Sequence, residues 1–360
     1  VTNKDTRTTL GSLEICRFIA ASVVVLTHFT PDLASHEAPG SKTIFDSVTM
    51  PGTFAVLFFF VLSGFVMMTA HHGDFGNVRA VPKFWWRRAC RIYPMYWVAL
   101  LVPVYYFYRS VSPALMVKFV SLQPAGLAGD LIPPAWSLRF EISFYIMFGL
   151  CLLPYIGRVL LAVWVAAVVW CWFPAGWLDF LGLPKAFYVN WMLGHGLYGF
   201  IAFFDFYFFA GLLAGWIFVK IPVPRTVAFA LIAAGIAGLL SVLPAMHWGY
   251  DFGNPILAIP SGFAVAGLIV GLALLERSGL FTLGAAARWL GAMSYPLYIL
   301  HAPLLLISYM ELNGVKLRAP ELFLLGAVWL LAIYVVCAVL TFCFDQPLQK
   351  LLRRRRKIQP

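Results

Sequence analysis

Along this chain, apolar runs of about twenty residues are separated by short polar or Gly- and Pro-containing stretches. Ten runs stand out: 11–30, 50–70, 93–109, 136–154, 156–173, 202–219, 226–246, 256–275, 292–311 and 323–343. Each has roughly the 17–25 residues that an α-helix needs to cross a hydrocarbon core. The pattern predicts an all-α, polytopic transmembrane bundle of about ten spanning helices. The stretch 174–200 is too interrupted by Gly and Pro to join them, and reads as a loop, an interfacial helix or a re-entrant piece. The expected organisation is a polar N-tail at 1–10, a membrane domain at 11–345 and a basic C-tail at 346–360.

Composition strengthens this assignment. The 360 residues are 62% hydrophobic and 11% charged, with a mean hydropathy of +0.85. Soluble domains sit near 45–50% apolar and about 25% charged, so much of this surface must face lipid. With both termini placed in the cytoplasm, Lys and Arg fall about three to one on that side, as the positive-inside rule requires. The net charge of +11 is thereby explained by topology, and no nucleic-acid partner is implied. The tail KLLRRRRKIQP is expected to lie against anionic headgroups, which makes membrane lipids a partner. The first run carries no small-residue cleavage pattern and reads as a span. The six cysteines have neither CxxC nor metal-ligand spacing and read as small apolar residues, so no metal is expected.

Polar residues inside the spans carry the chemistry, because charge within a membrane is costly unless it is buried and partnered. In LEICRFIAASVVVLTHF, Arg17 and His28 are eleven positions apart. That is almost three turns, so they share one stripe of a helix about 16 Å apart. Taken singly, Arg17 reads equally as a residue snorkelling to the inner interface, and His28 as one bonded to a carbonyl. In PAWSLRFEISFY, Ser137, Glu141 and Tyr145 share a face. The descending direction of that span places Glu141 near the depth of His28, either in a polar channel or in a structural ion pair. Arg139 is expected to snorkel outward. In SYPLYILH, Ser294, Tyr298 and His301 share a face. Asp205 and Asp345 read as structural. Finally, FWWRRACRIYP at 84–94 sets Arg88 and Arg91 on one helix face in a basic cytoplasmic stretch, able to grip a phosphate by forked hydrogen bonds.

These residues resemble the acyltransferase-3 family of bacterial membrane acyltransferases, which modify surface and secreted sugars. Arg17 and His28 fit its basic residue and histidine across a ten-residue gap. Ser63-Gly64-Phe65 resembles its second-helix signature, and Arg88 with Arg91 its RxxR element. Trp136-Ser137-Leu138 with Glu141 is similar to its fourth-helix pattern, and Tyr298 with His301 to its late YxxH-like element.

The resemblance implies an O-acyltransferase of the bacterial cytoplasmic (inner) membrane, with no permanently bound cofactor. Its donor would be cytoplasmic acyl-coenzyme A, acetyl-CoA above all. The acceptor would be a hydroxyl of an extracytoplasmic or lipid-linked sugar, such as an exopolysaccharide, with polysaccharide assembly proteins as further partners. Some members carry a fused esterase-like domain, which is not expected here, so transfer to the sugar would be direct or pass through a second protein. On this basis Arg17, Arg88 and Arg91 would bind acyl-CoA. His28 would act as general base with Glu141 orienting it, and Ser63, Ser137, Tyr145, Tyr298 and His301 would support the polar channel. A transporter or flippase for an anionic or lipid-linked glycan precursor is the alternative from a different class, and a scaffold subunit of an export complex is a third.

A reporter fused after Pro360 is expected to be active only in the cytoplasm, and one inserted within 110–133 only outside it. Activity of both on one side would remove the through-membrane stripe.

Overall fold

The computed structural model describes residues 10–38, 52–123, 130–172, 198–247 and 255–355. Among these, regular structure is helical, apart from an isolated bridge between Glu37 and Leu317. The helices are α1 (Gly11–Ser35), α2 (Gly52–His71), α3 (Ala80–Phe107), α4 (Pro113–Ser121), α5 (Ala135–Cys151), α6 (Ile156–Trp172), α7 (Asp205–Lys220), α8 (Arg225–His247), α9 (Pro255–Arg277), α10 (Ala285–Glu311), α11 (Ala319–Val339) and α12 (Gln346–Arg355). A π-helical turn, Leu340–Asp345, joins the last two.

Each of the ten expected apolar runs falls on one of these helices. Among the described residues, six helical stretches are long and apolar enough to cross a membrane: α1, Phe54–His71, Arg225–Val242, Ile259–Arg277, α10 and the run Ala319–Leu352. The expectation of ten is therefore met for six. α6 is apolar but has 17 residues, and α5 and α7 have 17 and 16. α3 is long enough, yet its first half carries Lys83, Arg87, Arg88 and Arg91. Most of the 174–200 stretch lies outside the described residues, as do 1–9.

Two expectations need correcting. The third helix starts well before the expected run at 93–109: α3 begins at Ala80 and carries Arg88 and Arg91 on it to the cavity. Nothing before Pro94 breaks the helix, and Pro94 is accommodated within it. Arg139 does not snorkel outward; it is buried and ion-paired with Asp130. The C-tail, as far as Arg355, is helical and follows the π-helical turn.

The bundle is held by close pairs: α2 against α7, α8 against α9 and α1 against α10. The orphan N–H groups at the start of α1 are met by a carboxylate from the end of α9. Glu276 accepts from the Gly11 and Ser12 amides at 2.8 and 2.9 Å, and from the Ser12 hydroxyl at 2.6 Å. α4 turns back along α3, and its last carbonyls are capped by α3 side chains. Tyr96 and Tyr93 hydroxyls donate to Phe119 and Ser121 at 2.6 and 2.8 Å, and the Trp97 indole donates to Val120 at 3.0 Å. The buried Asp205 accepts the Ala202 amide at 2.9 Å ahead of α7, a structural role.

Between α2 and α7 the backbones touch through glycine. A Cβ on Gly64 would run into the Phe208 carbonyl oxygen, and one on Gly211 into that of Val61. Small residues allow such approach where packing, not hydrophobicity, drives helix association. Gly64→Leu is expected to destabilise the protein by about 3 kcal/mol or more, read as a lower melting temperature in detergent. An unchanged melt would mean that the two helices can separate freely here.

Candidate functional site

A cavity of about 140 Å³ opens between α1, α2, α3, α5 and α10. Its walls bring together eight of the ten residues singled out from sequence: Arg17, Ser63, Arg88, Arg91, Ser137, Glu141, Tyr145 and Tyr298. They come from five helices and meet because α5 runs antiparallel to α3 and α10. At one level the Trp85 indole of α3 donates to the Tyr145 carbonyl of α5 at 2.9 Å, packed where Gly149 leaves space. At the next, the Tyr295 hydroxyl of α10 donates to the Ile92 carbonyl of α3 at 2.7 Å. Beyond that, Ser137 of α5 meets Tyr298 of α10, hydroxyl to hydroxyl, at 2.6 Å.

The lower layer is cationic. Arg88 lies over the rings of Phe84 and Tyr145 at 5.5 and 5.4 Å, and Arg91 over Tyr295 at 5.5 Å. Stacking on aromatic faces suits the weakly hydrated, planar guanidinium and leaves its edge free to donate. Arg17 pairs with Glu14 one turn earlier at 3.5 Å and also feels the charges of Glu141 and Arg91. Glu141 is held in the middle layer, where it accepts from Ser63 at 3.0 Å and, closely, from Tyr145. Ser63 therefore faces the cavity while its neighbour Gly64 faces α7.

The upper layer is the Ser137–Tyr298 pair, with Pro134 as shared acceptor: Ser137 reaches its carbonyl at 3.1 Å and Tyr298 at 3.2 Å. Phe59 packs edge-on against Tyr298 with centroids 5.6 Å apart. Past this constriction lie the two remaining residues. Nε2 of the buried His301 stands 3.2 Å from Nδ1 of His28, whose side chain is exposed. Glu141 and His28 are thus in different layers. Glu141 lies four residues below Ser137 on α5 and His301 three above Tyr298 on α10, together about 10 Å of helix rise. The imidazole, not the carboxylate, is the group bonded to His28.

Tyr295 and Glu14 were not among the residues read from sequence as part of the site. Glu14 carried a signal, since it precedes Arg17 at i, i+3. Tyr295 lies within SYPLYILH but one step off the face chosen there.

The arrangement is a basic, aromatic-walled cavity with a histidine pair behind its Tyr298 wall, the Tyr298 and His301 ring centroids being 6.3 Å apart. It can hold an anionic group at one end and supply an imidazole at the other. Residues 10–344 match a protein family described as an acyltransferase domain. Acyltransferase MdmB of Streptomyces mycarofaciens is 26% identical over 388 aligned positions, covering 97% of this chain and 94% of that protein. No solved structure matches.

Replacing Glu141 tests the middle layer. Glu141→Leu leaves two hydroxyls without their acceptor and the arginines without this carboxylate, and is expected to cost about 1–3 kcal/mol of stability. Glu141→Gln still accepts and should cost less. Identical thermal unfolding of Glu141→Leu and the wild type would show that the carboxylate holds nothing together.

Proposed function

The chain belongs to the acyltransferase-3 family, and we propose that it moves an acyl group, acetyl in the first instance, from acyl-coenzyme A to a sugar hydroxyl. Membership makes it a membrane acyltransferase. The proposal adds the donor, the acceptor and the direction. All ten long helices count as spans, both termini lie in the cytoplasm of a bacterium, and the acceptor is an extracytoplasmic or lipid-linked glycan at the inner membrane.

One observation supports this reading: three guanidinium groups line a cavity, and a histidine pair stands behind its Tyr298 wall. Acyl-coenzyme A has the matching form, with an anionic nucleotide, a thin arm and a thioester at the tip. Arg88 and Arg91, with Arg17 deeper in, hold phosphate by charge-assisted hydrogen bonds. The arm passes Ser63, Glu141 and Tyr145, and the thioester reaches the Ser137–Tyr298 constriction. There His28 Nε2 takes the proton of the acceptor hydroxyl as its oxygen attacks the thioester carbonyl. A C–O bond forms, the C–S bond breaks, and the imidazolium returns the proton to the departing thiolate. Nothing is oxidised or reduced, and the products are the sugar ester and free coenzyme A.

His28→Ala is expected to lower kcat about 10²–10⁴-fold, measured as coenzyme A release from acetyl-CoA with methyl glycosides as acceptor. Binding of acetyl-CoA should stay near wild type. Arg88→Ala with Arg91→Ala should do the reverse and weaken binding, more at low salt than at high salt. Loss of surface-glycan acylation in cells carrying His28→Ala, seen by mass spectrometry, is the matching outcome in vivo. A folded His28→Ala protein that still acylates at an appreciable fraction of the wild-type rate would sink the assignment and favour a carrier.

A further inference from the structure

With both rings neutral, the histidine pair has only one arrangement of hydrogens that satisfies every contact around it. His301 Nδ1 is 3.1 Å from the Leu297 carbonyl oxygen. A carbonyl accepts and cannot donate, so Nδ1 carries the hydrogen. His301 is fully buried, and its hydrogen-bond partners include the Leu297 and Tyr298 backbone and His28, none of them an anion. It is therefore neutral, with a bare Nε2. That Nε2 faces His28 Nδ1 at 3.2 Å, and two bare nitrogens would repel, so His28 Nδ1 is the donor. The Val24 carbonyl, 2.9 Å from the same nitrogen, requires the same hydrogen. The opposite arrangement fails twice, because it turns a bare nitrogen toward a carbonyl oxygen on each ring.

We infer that His301 is a positioning residue: it holds His28 with Nδ1 protonated and Nε2 bare, and accepts the Nδ1 hydrogen more strongly once His28 takes up a proton. The ring hydrogen bond decides which nitrogen is available for chemistry. Here the available one is Nε2, on the exposed side chain of His28. The two rings sit on helices that pack closely against each other, α1 and α10. Near the start of both, a Cβ on Gly291 would overlap Glu14, and His301 lies between Pro296 and Pro303 in α10. The orienting task that sequence alone assigned to Glu141 thus falls to a neutral imidazole. This leaves Glu141 in the middle layer, bonded to Ser63 and Tyr145. The catalytic consequence rests on the acyltransfer proposal, whereas the tautomer itself does not.

Two measurements separate the parts. The chain has seven histidines, and selective 15N-histidine labelling in detergent, assigned with His28→Gln and His301→Gln, reads each tautomer directly. The expected wild-type spectrum shows Nδ1 protonated and Nε2 bare at both His28 and His301. A protonated Nε2 at His28 overturns the inference without any activity assay. In the coenzyme A release assay, His301→Leu removes the acceptor and should lower kcat roughly 10- to 100-fold with KM for acetyl-CoA unchanged. His301→Gln still offers an amide oxygen to His28 Nδ1 and should keep most of the rate. Equal loss in both variants, with donor binding intact, also overturns it. If the spectrum is as expected but His28→Ala transfers normally, the tautomer stands and the acyltransfer proposal fails.

Discussion

Three guanidinium groups inside a bundle this apolar must be met within the protein, and much of the helix arrangement answers that requirement. Water is not freely available to them, and an unmatched charge in such surroundings costs several kcal/mol. The bundle meets it in two ways. Carboxylates are supplied locally, by Glu14 on the same helix as Arg17 and by Glu141 across the cavity. Aromatic faces are supplied by Phe84, Tyr145 and Tyr295, over which Arg88 and Arg91 lie. Neither device saturates the guanidinium edge, so the site remains able to hold an anion. The buried Arg139–Asp130 pair differs, because there the carboxylate meets the guanidinium directly and the pair is structural.

The antiparallel course of α5 beside α3 and α10 turns these separate solutions into an ordered path. Trp85 with Tyr145, Ile92 with Tyr295, and Ser137 with Tyr298 tie the three helices at successive levels. A shift of any one helix by a turn would break two of the three bonds together. Charge therefore stays at one end and imidazole at the other. Close packing of α2 on α7 through Gly64 and Gly211 fixes the side from which Ser63 reaches Glu141. The second-helix signature thus serves packing and site with adjacent residues that face different ways.

Several site residues were legible in the sequence because intramembrane polar groups are rare and helical spacing places them on faces. Arg17, Ser137, Glu141, Tyr145 and Tyr298 were chosen on that ground and line one cavity. The ten apolar runs were legible for the same reason, since each coincides with a helix. Hydropathy misplaced the start of the third, because a window sensitive to charge stops at the arginines while backbone hydrogen bonding does not. The Arg139 pairing was hidden because its partner, Asp130, lies in a polar connection and nothing in local spacing links them.

What the sequence determined by itself was period and composition: an all-helical membrane protein, with a few polar side chains on definite faces. These follow from local physics, since helix rise and the cost of buried charge do not depend on neighbouring elements. What only the tertiary structure decided was which polar group meets which. Depth along a helix can be counted from sequence, but the relative slide of two helices cannot, and about 10 Å of helix rise separates Glu141 from the layer of His28. The partner of His28 proved to be His301, 273 residues away in the chain. That contact depends on how closely α1 and α10 pack, which is a property of the assembled bundle.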